Sequence, residues 1–397
     1  MLFSCVANFD TNFIFCDEYD LSTQKAKEAE VKDMARICIL CESWESGGIE
    51  SFLCNTLLAM DRSGLEVDIV AAQLRDSVFT APLEAAGIHF RELSGALRSP
   101  KNGRLFSALL AQRHYDVVHL NAYQALSLHY LALAQKAGVP VRIAHGHGTG
   151  LRNSLGKPLK LLLHRLGKRL WSRSATDFWA CSRQASEFLF LQGQPYRWIP
   201  NGIDVERFRF QEPLRVKQRQ ALGLAESQLL VGTVGRLSEE KNHRFLLDVF
   251  CQLQALRRDS VLLLVGAGRL EEQLRARAEE LGIASKVIFY GPSDHVEQLL
   301  WAMDVFAFPS QFEGLGIAAV EAQAAGLPVV CSEGVPWEAL ATDLARRLPL
   351  SAGERRWAEI LLNEKVPADR AAIADAVSTA GFDVTSVAKE IRDLWVR

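Results

Sequence analysis

Several features that would place a chain in a special class are scarce or missing here. No uncharged apolar run reaches the roughly 18 residues that a membrane-spanning helix needs. Cysteine is sparse, with 8 in 397 residues, which excludes a disulfide-stapled small domain and is typical of reduced thiols in an intracellular protein. Neither sign of charge dominates, since 45 lysines and arginines oppose 47 aspartates and glutamates, so no basic excess indicates a nucleic-acid partner. The first residues lack a basic segment ahead of a clean apolar stretch and do not predict a secretory signal.

What the sequence does contain is the composition of an ordinary globular protein. It is 49% hydrophobic and 23% charged, and its length predicts about two or three domains. Its charge is unevenly distributed along the chain. Residues 34–190 hold 18 lysines and arginines against 12 acids, and residues 117–176 contain nine cations and no aspartate or glutamate. We therefore predict a basic face on one half of the molecule.

From residue 35 onward, short apolar runs of strand length alternate with segments of helix length. The runs are RICILC (36–41), LEVDIVAA (65–72), IHFREL (88–93), DVVHL (116–120), VRIAH (141–145), DFWAC (177–181), LLVGTVG (229–235), VLLLVG (261–266), VIFYG (287–291), VFAFPS (305–310) and LPVVC (327–331). This alternation, in which one of the intervening helices is expected near 122–137, predicts right-handed βαβ units around parallel sheets. A Pro- and Asn-Gly-containing break at 199–214 separates two such series. The fold class is therefore α/β, with two Rossmann-like, doubly wound domains and ligands between them at the carboxyl ends of the strands.

The same pattern divides the chain into four predicted units. Residues 1–33 show no sustained period and precede an internal Met34, so we interpret them as a dispensable extension or as the result of an upstream start codon assigned in error; the alternative is an ordinary N-terminal arm. The other three units are a first Rossmann-like domain (34–208), a second (209–380) and a final helical segment (381–397) that crosses back to the first domain.

The most informative motif is FPSQFEGLGIAAVE, at 308–321. A strand ends in this segment, a loop carries Glu313, and a Gly-Leu-Gly turn (314–316) leads into a helix that bears Glu321. Glycines ahead of a helix let a ligand approach free backbone N–H groups, whose dipole favours phosphate. Each of the two carboxylates can bind a pair of neighbouring sugar hydroxyls, because a carboxylate accepts hydrogen bonds from two OH groups at once. The alternative is a capped helix with solvated glutamates.

A second motif, GTVGRLSEEKN (232–242), also follows a strand. It supplies Arg236 and Lys241 across a turn into the next helix, where the two cations could clamp a diphosphate. The alternative is a pair of surface cations bound to Glu239 and Glu240. LVGAGRLEEQL (264–274) lacks the third glycine of a dinucleotide fingerprint, so we predict a tight turn there.

These motifs together resemble glycosyltransferase family 4. The resemblance extends over residues 35–397 and includes Gly-Gly after the first strand, the histidine that ends VRIAH, PNGID, VGRLSEEKN and FEGLGIAAVE. It implies the GT-B fold, retention of anomeric configuration and a nucleotide-sugar donor, with UDP favoured as the nucleotide. The segments SWESGGIESFLCN and IAHGHGT look most like the bacterial members that build capsular polysaccharide and exopolysaccharide.

The resemblance also assigns roles to the motif residues. Glu313 would contact hydroxyls of the donor sugar, and Glu321 the ribose. Arg236 and Lys241 would hold the diphosphate together with the backbone of the turn that leads into the helix. That turn consists of Gly314, Leu315 and Gly316.

Two further positions come from the first domain. Gly47 and Gly48 would let the first loop close over the phosphates, and a strand-end histidine would face the sugar near its reacting carbon. IAHGHG offers both His145 and His147; strand phase favours His145, although one loop could present either. We interpret His119, in DVVHL, as a structural histidine at the end of its strand.

No metal or other cofactor is predicted. The sequence contains no Asp-x-Asp, the carboxylate pair that binds a divalent cation in the other large transferase fold. Arg236, Lys241 and a helix N-terminus would then neutralise the leaving diphosphate. Cys38 and Cys41 lie within an apolar strand, where their side chains do not converge on a metal.

The segment 155–174, LGKPLKLLLHRLGKRLWSRS, predicts a basic amphipathic helix. Its apolar stripe comprises Leu159, Leu162, Leu163, Leu166 and Leu170. Such a helix can lie on an anionic membrane surface, or it can be a domain helix whose leucines face the sheet and whose cations face water. A basic face would suit a lipid-diphosphate-linked acceptor.

Taken together, these features predict a cytoplasmic enzyme that is peripheral at the inner face of the plasma membrane. It would transfer a hexose or an N-acetylhexosamine from a nucleoside-diphosphate sugar to a polyprenyl-diphosphate-linked saccharide in bacterial surface polysaccharide synthesis. Two alternatives remain open: a nucleotide-sugar epimerase of the same fold, and a non-catalytic sugar-nucleotide-binding partner.

Overall fold

The computed structural model describes four stretches of the chain: 34–45, 47–97, 99–150 and 157–397. The predicted extension at 1–33 and the first two residues of the basic segment 155–174 lie outside the described residues. The described stretches form two parallel β-sheets flanked by helices, which confirms the predicted fold class.

The first sheet has seven parallel strands in the order β3-β2-β1-β4-β5-β6-β7. Its strands are β1 (Ala35–Cys41), β2 (Leu65–Ala71), β3 (His89–Glu92), β4 (Val117–Ala122), β5 (Val141–Gly146), β6 (Asp177–Ala180) and β7 (Arg197–Trp198). The helices between them are α1 (Gly48–Ala59), α2 (Thr80–Ala85), α3 (Asn102–Arg113), α4 (His129–Lys136), α5 (Lys157–Trp171) and α6 (Arg183–Leu189).

The second sheet has six parallel strands in the order β10-β9-β8-β11-β12-β13. Its strands are β8 (Leu230–Val234), β9 (Val261–Val265), β10 (Val287–Gly291), β11 (Val305–Phe308), β12 (Val329–Cys331) and β13 (Ala345–Arg347). The remaining helices are α7 (Val205–Phe208), α8 (Glu212–Ala221), α9 (His243–Leu256), α10 (Glu271–Glu280), α11 (Val296–Ala302), α12 (Ile317–Ala324), α13 (Glu354–Asn363), α14 (Ile373–Val377) and α15 (Val384–Trp395).

Both sheets are covered on their two faces, which explains why their strands are continuous apolar runs. In β1, Cys38 and Leu40 pack into one hydrophobic cluster, whereas Ile37 and Ile39 pack into another. Cys41 belongs to the second cluster, so Cys38 and Cys41 lie on opposite faces of the sheet, as the strand assignment predicted.

The strand order of each sheet reverses at one place, and ligands bind at such switch points in doubly wound folds. In the first sheet the reversal lies between β1 and β4, and in the second between β8 and β11. The Gly-Gly loop follows β1, the Arg236–Lys241 loop follows β8, and the loop with Glu313 follows β11. Three motifs identified in the sequence thus lie at switch points.

The structure departs from the predicted elements in a few places. Two short strands, β7 and β13, were not predicted because two or three residues carry no readable period. The helix expected near 122–137 is a 3₁₀ turn, Ala125–Leu128, followed by α4. It begins late because β4 continues to Ala122, which pairs with Gly146 of β5.

The last helix, α15, packs against the core of the first sheet. Ile391 and Trp395 share a hydrophobic cluster with Ile37 and Trp44. The segment just before α15 runs alongside the PNGID stretch (200–204), where Ile203 N–H donates a hydrogen bond to Phe382 O at 2.8 Å.

Candidate active site

Loops from both sheets meet where the carboxyl ends of the strands face each other. Thr149 Oγ1, after β5, donates a hydrogen bond of 2.8 Å to Glu313 O, and Ser182 Oγ, at the start of α6, donates one of 2.6 Å to Gly314 O. A Cβ on Gly314 would overlap the carbonyl oxygen of His147, so glycine is what permits this approach. The Glu313 loop is therefore fixed against the first sheet by backbone contacts.

The predicted cation Lys241 and the predicted carboxylate Glu313 form an ion pair in this cleft. Their Nζ and Oε1 atoms are 2.7 Å apart, and the side chains are 20% and 12% exposed. The ammonium also lies 4.8 Å from the ring centroid of Phe308, a cation–π contact. A third link joins the two loops, since Gln311 N–H donates to Glu240 O at 2.7 Å. A partly desolvated pair of charged groups, carried on two loops that are bonded to each other, is suited to a polar, anionic ligand.

The loop that carries the cations depends on the turn after β9. A Cβ on Gly266 would overlap the carbonyl of Gly235, and one on Gly268 would overlap the carbonyl of Leu237. Gly266 also has φ +129°, a conformation that favours glycine. The predicted tight turn is confirmed, and its glycines let two backbones touch beneath Lys241.

The Gly-Leu-Gly turn enters α12 as predicted. Gly316 has φ +91°, and a Cβ there would lie 3.2 Å from Phe308 Cε1 and 3.3 Å from Val335 Cγ1. Gly316 provides no side-chain cap for α12. The start of the helix therefore keeps backbone N–H groups, with their favourable dipole, for an anion. Leu315 is buried and anchors the turn.

Glu321 lies one turn inside α12 and is half-buried. Burial raises its pKa to about 7, while the charges of Arg207 and Lys241 lower it and that of Glu297 raises it. Lys241 therefore interacts with both motif glutamates: it forms an ion pair with Glu313, and its charge lowers the pKa of Glu321. Arg207 itself is bound by Glu297, with Nη2 and Oε2 2.8 Å apart.

The Gly-Gly loop brings the first sheet to Arg236. Gly47 is the N-cap residue of α1 and Gly48 its first residue. A Cβ on Gly47 would lie 3.5 Å from Arg236 Nη2 and 2.7 Å from Oε2 of Glu50. A Cβ on Gly48 would meet no atom within 4 Å, which leaves open space beside the loop. The predicted Gly47 and the predicted Arg236 are therefore adjacent across the cleft, whereas a Cβ on Gly48 would not contact the arginine.

Three histidines form a buried cluster: His119 lies within β4, not at its end as predicted, His145 lies near the end of β5, and His147 follows that strand. His145 Nδ1 lies 3.1 Å from His119 Nε2, and the two rings are stacked. His147 Nε2 lies 2.9 Å from Asn121 Oδ1. His119 Nδ1, His145 Nε2 and His147 Nδ1 have no hydrogen-bond partner in the described residues.

Burial keeps these histidines neutral. It lowers the pKa of His119 and of His147 to about 3 and that of His145 well below its usual value. His145 packs edge-on against Phe52 and faces His119, whereas the backbone of His147 contacts the Gly314 turn. The two candidate histidines thus differ in surroundings, and His147 is the one in contact with the loop of Glu313.

Three polar residues of this cleft were not singled out in the sequence: Glu50, Thr149 and Ser182. Glu50 is the second residue after the Gly-Gly pair in GGIE, so its position in the motif was a usable signal. The other two act through hydrogen bonds to backbone carbonyls of a loop about 130 or more residues away, for which the sequence carries no pattern.

Metal-ligating side chains are not grouped in the part of the chain that the structure describes. There, no three His, Cys, Asp or Glu residues are placed to hold an ion. Among the described helices, none is long and apolar enough to cross a membrane.

The basic helix α5 presents its leucines to the outside. All five residues of the predicted stripe, Leu159, Leu162, Leu163, Leu166 and Leu170, are between 37% and 65% exposed. The face toward the protein instead carries His164, whose Nδ1 accepts from Ala125 N–H, and Lys168, whose Nζ donates to Phe188 O at 3.0 Å. The alternative in which the leucines face the sheet is therefore wrong, whereas the cations Arg165 and Arg169 do face water.

Comparisons with known proteins agree with this architecture. A model described as Glycosyltransferase Family 4 matches residues 46–207, and one described as Glycosyl transferases group 1 matches 215–341. EpsF of Bacillus subtilis, provisionally assigned as a glycosyltransferase, is 30% identical over 363 residues, or 88% of this chain and 93% of EpsF. The UDP-Gal:alpha-D-GlcNAc-diphosphoundecaprenol alpha-1,3-galactosyltransferase of Escherichia coli is 28% identical over 56% of this chain and 59% of its own.

Solved structures give the same fold. The Anabaena protein Alr3699/HepE, crystallised in complex with UDP, superposes with a TM-score of 0.73 at 22% identity, over 90% of this chain and 99% of that one. WaaG, a glycosyltransferase involved in lipopolysaccharide biosynthesis, superposes with a TM-score of 0.67 at 18% identity, over 91% and 99%. Since one family model falls on each sheet and EpsF matches over nearly its full length, the chain belongs to glycosyltransferase family 4 and has the GT-B fold.

Proposed function

We propose that this glycosyltransferase moves a hexose or an N-acetylhexosamine from a UDP-sugar to a polyprenyl-diphosphate-linked saccharide, with retention of anomeric configuration. The observation that carries the proposal is the ion pair between Lys241 and Glu313, held at the switch point of the second sheet and opposite the Gly-Gly loop of the first. A cation and a carboxylate side by side match a ligand that joins a phosphate to a sugar.

In this proposal the cations and the carboxylates contact different parts of the donor. Arg236, Lys241 and the N-terminus of α12 bind the diphosphate, and no metal ion is needed to neutralise it. Glu313 accepts hydrogen bonds from sugar hydroxyls, and Glu321, deeper in α12, accepts them from the ribose. Donor binding would loosen the ion pair between Lys241 and Glu313. The phosphate would then contact Lys241 in place of Glu313, and the sugar hydroxyls would contact Glu313 in place of Lys241.

A histidine at the end of β5 contacts the donor sugar in this proposal. His145 and His147 are both neutral and buried, so either can exchange hydrogen bonds with a hydroxyl. The geometry favours His147, whose backbone touches the Gly314 turn, with His145 behind it and bonded to His119.

The reaction requires little covalent participation by the protein. The bond between the anomeric carbon and the phosphate oxygen breaks as the acceptor oxygen approaches the same face of the sugar. The departing phosphate takes the proton of the acceptor hydroxyl. The cations stabilise the negative charge that develops on the diphosphate, which is the main contribution of such sites to rate.

Two relatives support the substrate classes. The name of the Escherichia coli relative specifies a UDP-galactose donor and a diphosphoundecaprenol-linked acceptor. The Anabaena protein was crystallised in complex with UDP. A Corynebacterium glutamicum relative, 28% identical over 73% of this chain and 78% of its own, is instead a GDP-mannose-dependent mannosyltransferase. UDP is therefore the first nucleotide to test and GDP the second.

We also propose that α5 docks on the cytoplasmic face of the membrane. Its exposed leucine stripe is flanked by the exposed cations Arg165 and Arg169, a combination suited to apolar lipid chains beneath anionic headgroups. Such docking would bring the cleft close to a lipid-linked acceptor.

The test is a transfer assay with a radiolabelled UDP-sugar and an undecaprenyl-diphosphate-linked saccharide. Lys241→Met should lower turnover about a hundredfold or more, because it removes a cation from the leaving diphosphate. Lys217→Met, which removes an exposed lysine of α8, is the matched control and should leave turnover unchanged. Near-normal turnover in Lys241→Met would contradict the proposal.

The same assay distinguishes the alternatives. An epimerase would convert the donor sugar when no acceptor is added. A non-catalytic binding partner would bind the nucleotide but consume no donor with or without acceptor.

A further inference from the structure

One buried carboxyl group in the cleft has no role in the proposed function. Glu50 lies in the first turn of α1 and is 2% exposed. Its Oε1 accepts a long hydrogen bond, 3.4 Å, from Glu45 N–H, and its Oε2 has no hydrogen-bond partner among the residues that the structure describes. A buried carboxyl oxygen without a hydrogen bond is costly, so such an atom in a native fold indicates a missing partner.

The unpartnered oxygen is directed to the surface where the two sheets meet. Oε2 lies 2.7 Å from the point that a Cβ on Gly47 would occupy, and Arg236 Nη2 lies 3.5 Å from the same point. A carboxyl group from the first sheet and a guanidinium from the second thus converge on one glycine. Because Gly47 has no side chain, nothing on this residue separates the carboxyl group from the guanidinium.

The surroundings of Glu50 favour its acid form. Burial raises its pKa to about 7; the backbone N–H groups of Glu50 and Glu45 and the charge of Arg236 oppose this shift, and the charge of Glu45 adds to it. The other ionisable groups that face it are the thiol of Cys41, on β1, and the hydroxyl of Tyr123, after β4. A substantial share of molecules therefore carries a proton on Glu50 near neutral pH, and a protonated carboxyl group is a hydrogen-bond donor.

We propose that Glu50 is a further donor-binding residue, whose carboxyl group in its acid form donates a hydrogen bond to a phosphate oxygen of the diphosphate held by Arg236. This inference rests on the proposed function, because it takes Arg236 as a ligand of that diphosphate. The ionised form would repel the phosphate and compete for the guanidinium. Donor affinity should consequently decline as Glu50 loses its proton.

The test is the dissociation constant of UDP, measured by titration calorimetry from about pH 6 to about pH 9. Glu50→Gln is the informative variant, because its amide donates a hydrogen bond at every pH and cannot ionise. At the acid end, wild type and Glu50→Gln should bind UDP within about twofold of each other. Above neutral pH, wild type should lose up to about tenfold in affinity per pH unit relative to Glu50→Gln.

Two further variants separate this role from a structural one. Glu45→Gln removes a neighbouring carboxylate but keeps the buried carboxyl group, so it should retain a pH dependence like that of the wild type, with its midpoint moved slightly to lower pH because the charge of Glu45 helps to raise the pKa of Glu50. Glu50→Ala cannot donate a hydrogen bond and should bind UDP about tenfold more weakly even at the acid end. Groups on UDP that titrate do so in all four proteins and cancel in the comparison.

The outcomes are distinguishable. If wild type and Glu50→Gln lose affinity in parallel as pH rises, or if Glu50→Ala binds as well as Glu50→Gln at the acid end, the role of Glu50 is refuted while the proposed function stands. If the folded wild type binds no nucleotide diphosphate at any pH, the proposed function fails, and the inference about Glu50 fails with it.

Discussion

At the scale of single residues, the candidate donor site depends on backbone contacts that a side chain would prevent. The loop with Arg236 and Lys241 rests on the turn after β9, where the Cα of Gly266 faces the carbonyl of Gly235. Gly314 makes an equivalent contact with His147 across the cleft. The charged side chains can take their positions only because these glycines leave room for the loops that carry them.

A substitution at Gly266 tests this dependence. Gly266→Ala should destabilise the fold by about 3 kcal/mol or more, because the new Cβ overlaps a carbonyl and φ is +129°. It should also weaken UDP binding, since the loop beneath Lys241 must move. Urea unfolding and nucleotide titration measure the two effects.

Gly282→Ala is the matched control for backbone conformation. Gly282 has φ +69°, but a Cβ there meets no atom within 4 Å, so we expect a loss of only about 1 kcal/mol and no change in UDP binding. Equal stability losses in the two variants would show that close packing at Gly266 is not what the fold requires.

Sequence reasoning identified most of the charged residues now seen in the cleft, because they lie directly after strands of two parallel sheets. It could not foresee that Lys241 and Glu313 form an ion pair, since that depends on how two loops pack. It also passed over Glu50, because a glutamate in the first turn of a helix usually faces water and only the burial of α1 makes this one unusual.

At the scale of elements, α5 is the helix whose orientation carries most meaning. Its inner face is fixed by His164, Gly167 and Lys168, and a Cβ on Gly167 would lie only 2.7 Å from Ala125 O. The leucine stripe is consequently held outward by polar contacts rather than by apolar burial. An exposed apolar stripe of this length is unfavourable on a helix that faces only water, and it is typical of a surface that binds another apolar surface.

We predict that α5 binds vesicles containing phosphatidylglycerol. The double substitution Leu159→Ser/Leu170→Ser should lower the fraction of protein that cosediments with them by about tenfold or more, because each leucine loses its apolar burial. Binding should also weaken with salt, because exposed cations contribute to it.

The control for this experiment is Leu58→Ser/Leu105→Ser, which removes two exposed leucines from α1 and α3. This variant should cosediment like the wild type. Equal cosedimentation of both double variants, or equal binding to phosphatidylcholine vesicles, would contradict membrane docking through α5.

The element pattern itself was largely predictable. Buried parallel strands such as β9 are continuous apolar runs that need no tertiary information to recognise. By contrast, β7 and β13 are edge strands of two and three residues, defined by the neighbour they pair with. The leucine stripe of α5 was visible in the sequence. Its outward direction was not, because that depends on which face of the helix makes contacts with the rest of the protein.

At the scale of the whole molecule, two similar sheets face each other and contribute different chemistry. The second sheet provides Arg236, Lys241, Glu313 and Glu321, whereas the first provides the Gly-Gly loop and the buried histidines. Hydrogen bonds from Thr149 and Ser182 to the Glu313 loop join the two halves beside the cleft. Family membership fixes the fold and the reaction class, whereas the sugar and the acceptor belong to the proposed function.

The central claim is that this cleft binds a nucleoside diphosphate through protein cations, without a metal ion. The most direct measurement is titration calorimetry of UDP, GDP, ADP and dTDP into the wild type and Lys241→Met, each with and without EDTA. We expect one nucleotide, UDP, to bind best, its affinity to be unchanged by EDTA, and Lys241→Met to weaken it about tenfold or more. Binding that EDTA abolishes, or that Lys241→Met leaves intact, would contradict the claim.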